Sequence, residues 1–77
     1  MMIEVTQEDI DEGIIGSPRR CPVARAITRK LGSPAHVGIE VWWKEDTEVF
    51  HPLSKRLYKF VSDIDLKRPV KPSRFRL

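Results

Sequence analysis

Val37-Gly38-Ile39-Glu40-Val41-Trp42-Trp43-Lys44, followed by the polar Glu45-Asp46-Thr47 and then Glu48-Val49-Phe50-His51, decides the fold class. Val37, Ile39, Val41 and Trp43 fall at every second position, the period a half-buried strand requires. The polar triplet is a turn and Glu48–His51 a return strand, so the centre of the chain reads as a β-hairpin. In this phase Trp43 faces the core. Trp42 stands on the opposite face beside Glu40 and Lys44, because neighbours on a strand point to opposite sides. An exposed tryptophan suits an interface or a stacking site for bases, which makes Trp42 a candidate ligand contact.

Helical patterns flank the hairpin. Upstream, Cys21-Pro22 opens a helix, with proline at the first position where its missing N–H costs nothing. Val23, Ala26, Ile27 and Leu31 form its apolar stripe, Arg25 and Arg29 share another face, and Gly32 and Pro34 end it. Downstream, Pro52 is expected to open an amphipathic helix carrying Leu53, Leu57, Phe60, Val61 and Ile64. Ile3 and Val5 alternate in a short first strand. Thr6 then caps a short helix, with Asp9 placed to cap in return, and Gly13 ends it. Asp9, Asp11 and Glu12 are expected to form a solvated helix face.

Ser73–Leu77 alternates again, with Phe75 and Leu77 inward and Arg74 and Arg76 outward. The order is β-α-α-β-β-α-β. Without regular strand–helix alternation, the class is α+β: a small mixed or antiparallel sheet with helices packed on one face. The two terminal strands are expected to pair.

Seventy-seven residues, 40% hydrophobic and 32% charged, make a single domain spanning 1–77. That size excludes a multidomain enzyme and a deep enclosed catalytic cavity, and leaves a small binding module. The one cysteine excludes an internal disulfide framework, and no apolar run approaches the roughly 20 residues of a membrane span. A cytoplasmic protein without membrane contact is the expectation. Cys21, His36 and His51 lack the paired spacing of metal ligands, so neither a metal nor a cofactor is expected.

Charge is blocked along the chain. Residues 1–17 hold five acids and no base, whereas residues 18–39 hold five bases and no acid. Such complementary blocks, with a marginal core and an open edge at Ser73–Leu77, point to a homodimer. The basic block contains the principal candidate site. Arg19 and Arg20 directly precede the helix that Pro22 opens, whose N-terminus carries unpaired N–H groups and partial positive charge. With Ser17, Cys21, Arg25 and Arg29 these residues, joined by Trp42, are expected to bind an anion. Arg19 and Arg20 otherwise answer Glu8, Asp11 or Glu12. A second basic set, Lys67, Arg68, Lys71, Arg74 and Arg76, offers phosphate contacts and gives the alternative of a nucleic-acid binder. A further alternative makes Cys21 a nucleophile, its thiol acidified by the helix dipole and the adjacent arginines. His36 and His51 are the only candidate bases, and neither lies in a recognisable motif.

Val5-Thr6-Gln7-Glu8-Asp9-Ile10-Asp11-Glu12-Gly13, Cys21-Pro22-Val23-Ala24-Arg25-Ala26-Ile27, the tryptophan hairpin and the ending Pro69-Val70-Lys71-Pro72-Ser73-Arg74-Phe75-Arg76-Leu77 occur together. The chain in this respect resembles a family of short uncharacterised bacteriophage proteins, over nearly its whole length. The Cys-Pro helix start and the closing Pro-Val-x-Pro-x-x-Phe are the most specific parts of the resemblance. It implies no activity. It does imply a setting, the host cytoplasm, in which a non-enzymatic protein of this size inhibits a host protein or sequesters a small anionic, nucleotide-like ligand.

Overall fold

Thr6 and Asp9 cap each other at the start of the first helix. The Thr6 hydroxyl accepts the Asp9 N–H at 3.1 Å, and the Asp9 carboxylate accepts the Thr6 N–H at 2.9 Å. In the computed structural model, which describes residues 1–77, this capping box joins β1 (Met2–Val5) to α1 (Gln7–Glu12). Gly13 leaves the helix hard against Pro22: a Cβ there would sit 2.6 Å from both the Asp9 carbonyl and the proline ring. A loop then leads to α2 (Pro22–Leu31), which opens with Pro22 as expected and closes at Gly32 in the left-handed conformation, φ 71°.

Five strands form two antiparallel sheets. β1 pairs with β5 (Ser73–Arg76), setting Ile3 opposite Phe75 and Val5 opposite Ser73, so the ends of the chain do meet. β2 (Ala35–Val37), β3 (Val41–Lys44) and β4 (His51–Pro52) make the other sheet, in that order. α2 packs on β1, on β2 and on α1, while α3 (Lys55–Asp65) packs on β5. Ile3, Val5, Val23, Ile27, Leu57 and Phe75 meet in one core. The α+β class follows from the residues, with every strand pair antiparallel. No helix is long and apolar enough to cross a membrane.

The central hairpin differs from expectation in a way that reverses its faces. Val37–Lys44 is not one strand: the chain turns at Gly38-Ile39-Glu40-Val41, closed by the Gly38 N–H donating to the Val41 carbonyl at 2.7 Å. Alternation restarts after that turn. Val37 is buried on β2, Ile39 at the turn tip is 75% exposed, and Trp42, not Trp43, enters the core. The expected return strand, 48–51, is reduced to β4 at His51–Pro52, after a turn in which Asp46 takes a positive φ of 65°.

The last helix also begins later than expected. Pro52 lies in β4 opposite Val41, and the Leu53 N–H donates to the Glu40 carbonyl at 2.8 Å. Ser54 is the cap, its hydroxyl accepting the Leu57 N–H at 3.3 Å. Pairing with β3 therefore takes the residues that proline would otherwise commit to a helix. The expected stripe of Leu57, Phe60, Val61 and Ile64 is nonetheless the buried face.

Candidate functional site

Asp9 organises the region where the acidic and basic blocks meet. It sits on α1, and the packing of α1 on α2 carries its carboxylate to Arg25 and Arg29. Arg29 grips it bidentately, Nη1 to Oδ1 at 2.9 Å and Nη2 to Oδ2 at 2.7 Å. Arg25 adds Nε to Oδ1 at 3.2 Å. The expected solvated face is thus corrected at this residue: Asp9 is 1% exposed. Its burial disfavours the charge, but the hydrogen bonds from Arg29, the Thr6 N–H and Arg25 outweigh that and hold its pKa at about 2.

The same clasp positions two arginines on a groove. Arg19, Arg20, Arg25 and Arg29 line an open surface groove of about 690 Å³, in which Glu12 is the only carboxylate. Arg25 and Arg29 are fixed by Asp9, and Arg25 also lies 3.5 Å from Glu8 and 3.6 Å from Glu12. The two loop arginines are less engaged. Arg19 has an exposed contact of 3.5 Å with Glu45, and the exposed Arg20 guanidinium forms no ion pair. Arginines 25 and 29 sharing a face, together with arginines 19 and 20 before the helix, is the arrangement anticipated from the sequence. The pairing of Arg19 and Arg20 with the acids of α1 is not: Glu8 and Glu12 meet Arg25 on the adjacent helix, and Asp11 accepts from the Gln7 amide.

Ser17, Cys21 and Trp42 do not join the groove. Ser17 accepts the Arg20 N–H at 3.1 Å and lines a separate cleft beside Cys21 and Val37. Cys21 is buried, and its sulfur caps α2 by accepting the Ala24 N–H at 3.4 Å. Burial pushes the thiol pKa up, overcoming the hydrogen bonds from Ala24 and Val23 that lower it, so the expected acidified thiol is corrected. Pro22, Val23 and Ala24 are buried with it, so the start of α2 does not face a ligand. The arginine side chains, not the helix terminus, supply the donors. Trp42 is buried, with its ring stacked on His51 at 4.4 Å.

The second basic set is dispersed. Arg68 lies 3.3 Å from Asp63 and, with Lys67, lines a groove beside Ile15 and Val70. Arg74 and Arg76 are exposed on β5, where Arg74 lies 3.5 Å from Glu4. Lys71 is exposed in the segment that precedes β5. The free edges of the terminal strands carry arginines as well: Arg29 donates to the Glu4 carbonyl at 2.8 Å and Arg56 to the Arg74 carbonyl at 3.5 Å. These contacts occupy carbonyls that another copy's strand would need, so they do not favour the strand-edge route to a homodimer.

One group of residues escaped the sequence reading. His36 on β2 and Trp43 on β3 are directly paired, their rings parallel within 7° and 5.3 Å apart, and Phe50 meets Trp43 edge-on, also at 5.3 Å. The row is on the face opposite Trp42. Gly38 was the signal: taken as a turn, it puts Trp43 outside. No family model, curated protein or solved structure matches the chain.

Proposed function

We propose that this chain is a small non-enzymatic binding protein whose arginine groove takes a small anionic ligand of the phosphate-bearing kind. The observation that carries this reading is the convergence of Arg19, Arg20, Arg25 and Arg29 on one groove whose lining includes a single carboxylate, Glu12. Guanidinium forks match phosphate oxygens bidentately. Two of the four are held in place by a buried carboxylate, so little side-chain freedom remains to be lost there on binding. The other two keep donors to spare. Cys21, buried as a helix cap with a raised pKa, favours binding over nucleophilic chemistry. In the bacteriophage setting that the sequence resemblance suggests, such a groove would sequester a host's anionic small molecule in its cytoplasm.

Inorganic pyrophosphate is the direct probe. Calorimetric titration is expected to give saturable binding with one ligand per chain, weakening as sodium chloride is raised because the groove is open to solvent and screened. Absence of saturable heat at low salt would remove the reading.

A further inference from the structure

We infer that the ligand of the arginine groove also carries an aromatic base: the surface takes a nucleotide unit, with phosphate on Arg19 and Arg20 and the base on the row of Trp43 and Phe50. This rests on the anion reading above and extends it across a neighbouring surface. His36 and Trp43 stand side by side on one face of the second sheet, and Phe50, just before β4, meets the Trp43 ring edge-on. Phe50 is 57% exposed and Trp43 half-buried, so aromatic surface is open to a stacking partner. A base stacks on such a surface whatever its edge carries, because every base has a π-face.

The row and the groove are joined by direct contacts. Arg19 Nη1 lies 3.5 Å from Glu45 Oε1, and the same oxygen lies 3.6 Å from His36 Nε2, whose ring stacks on Trp43. Arg19 therefore belongs to both surfaces, and Glu45 is what a phosphate displaces from it. That exchange is inexpensive, since the Arg19–Glu45 contact is solvent-exposed and such pairs contribute about 0–1 kcal/mol. Cationic donors at one end and stacked rings at the other complement a phosphate and a base in turn. Ile39 and Val49 are also exposed near the row in the chain, but Lys44 and Glu48 interrupt that apolar surface, and the arginines joined to it favour a ligand that is part anion over an apolar protein face.

Matched probes separate base from phosphate. ADP is compared with pyrophosphate, and an oligothymidylate with an abasic strand of equal length, on the wild-type chain and on Phe50→Ala and Phe50→Leu. Both variants change an exposed side chain, and circular dichroism checks that they fold. ADP or the oligothymidylate is expected to bind about tenfold tighter than its base-free counterpart, the scale of one base stacked on an aromatic ring. Each variant should erase that gain and leave pyrophosphate binding unchanged. A larger gain for ADP identifies a free nucleotide as the source, and a larger gain for the oligothymidylate a single strand. If the base adds nothing while pyrophosphate still binds, the nucleotide inference is overturned and the groove stands. If pyrophosphate also fails to bind, both fall.

Discussion

Asp9→Asn is expected to lower the stability of the fold by about 2 kcal/mol at neutral pH and to flatten its acid response. The magnitude follows from linkage. In the folded chain the Asp9 pKa is about 2, against an ordinary 3.8, and a shift of one unit corresponds to about 1.4 kcal/mol. Because the folded value is the lower one, the stabilisation is fully present above about pH 4 and is lost as pH falls towards 2. The asparagine keeps the shape and an oxygen for the Asp9–Thr6 cap, but its amide NH2 replaces the Oδ1 acceptor of Arg25 and Arg29, so the loss reports the charge together with the hydrogen bonds to both arginines. For a domain of this size the change corresponds to roughly 10 °C in Tm. Urea unfolding of both proteins at pH 7 and at pH 2 checks it. Equal stability at pH 7, or the same pH dependence in both, would show that Asp9 is not the clasp.

Replacing Arg19 and Arg20 together with alanine is expected to reduce pyrophosphate affinity at least a hundredfold. A hydrogen bond to a charged group contributes about 1.5–3 kcal/mol, and each guanidinium offers more than one donor. Both side chains are exposed and neither contributes to the core, so Tm should move little. The control is Lys71→Ala/Arg74→Ala/Arg76→Ala, which removes more positive charge, from another part of the surface. It should lower affinity only by the weak, salt-screened general attraction. If that variant loses binding and the Arg19/Arg20 variant keeps it, the ligand lies on the C-terminal segment instead.

Local chemistry made most of the fold readable from the residues. Thr6 with Asp9 and the apolar stripes of α2 and α3 specify their elements through residues three or four apart, and Pro22 and Gly32 mark the two ends of α2. In the central sheet one residue changes the phase. Gly38 supplies a tight turn that hydrophobic alternation passes over, and a slip of one residue exchanges the faces of everything after it. Trp42 and Trp43 changed places for that reason alone. Within the site, the shared face of Arg25 and Arg29 follows from helical spacing. The burial of Asp9 does not, because its cap to Thr6 is local whereas its grip on α2 spans the packing of two helices. The position of Cys21 at the helix start follows from Pro22, but its environment depends on tertiary packing: an N-terminus buried against the core raises a thiol pKa that an exposed one would lower.

Side-chain NMR of the arginine Nε–Hε groups during a pyrophosphate titration addresses the groove most directly. The Arg19 and Arg20 signals should shift progressively and saturate together, with smaller changes at Arg25 and Arg29, whose guanidinium groups are already held by Asp9. The Arg74 and Arg76 signals should stay in place. Saturating shifts at Arg74 and Arg76 with Arg19 and Arg20 unmoved would contradict the assignment of the groove as the ligand site.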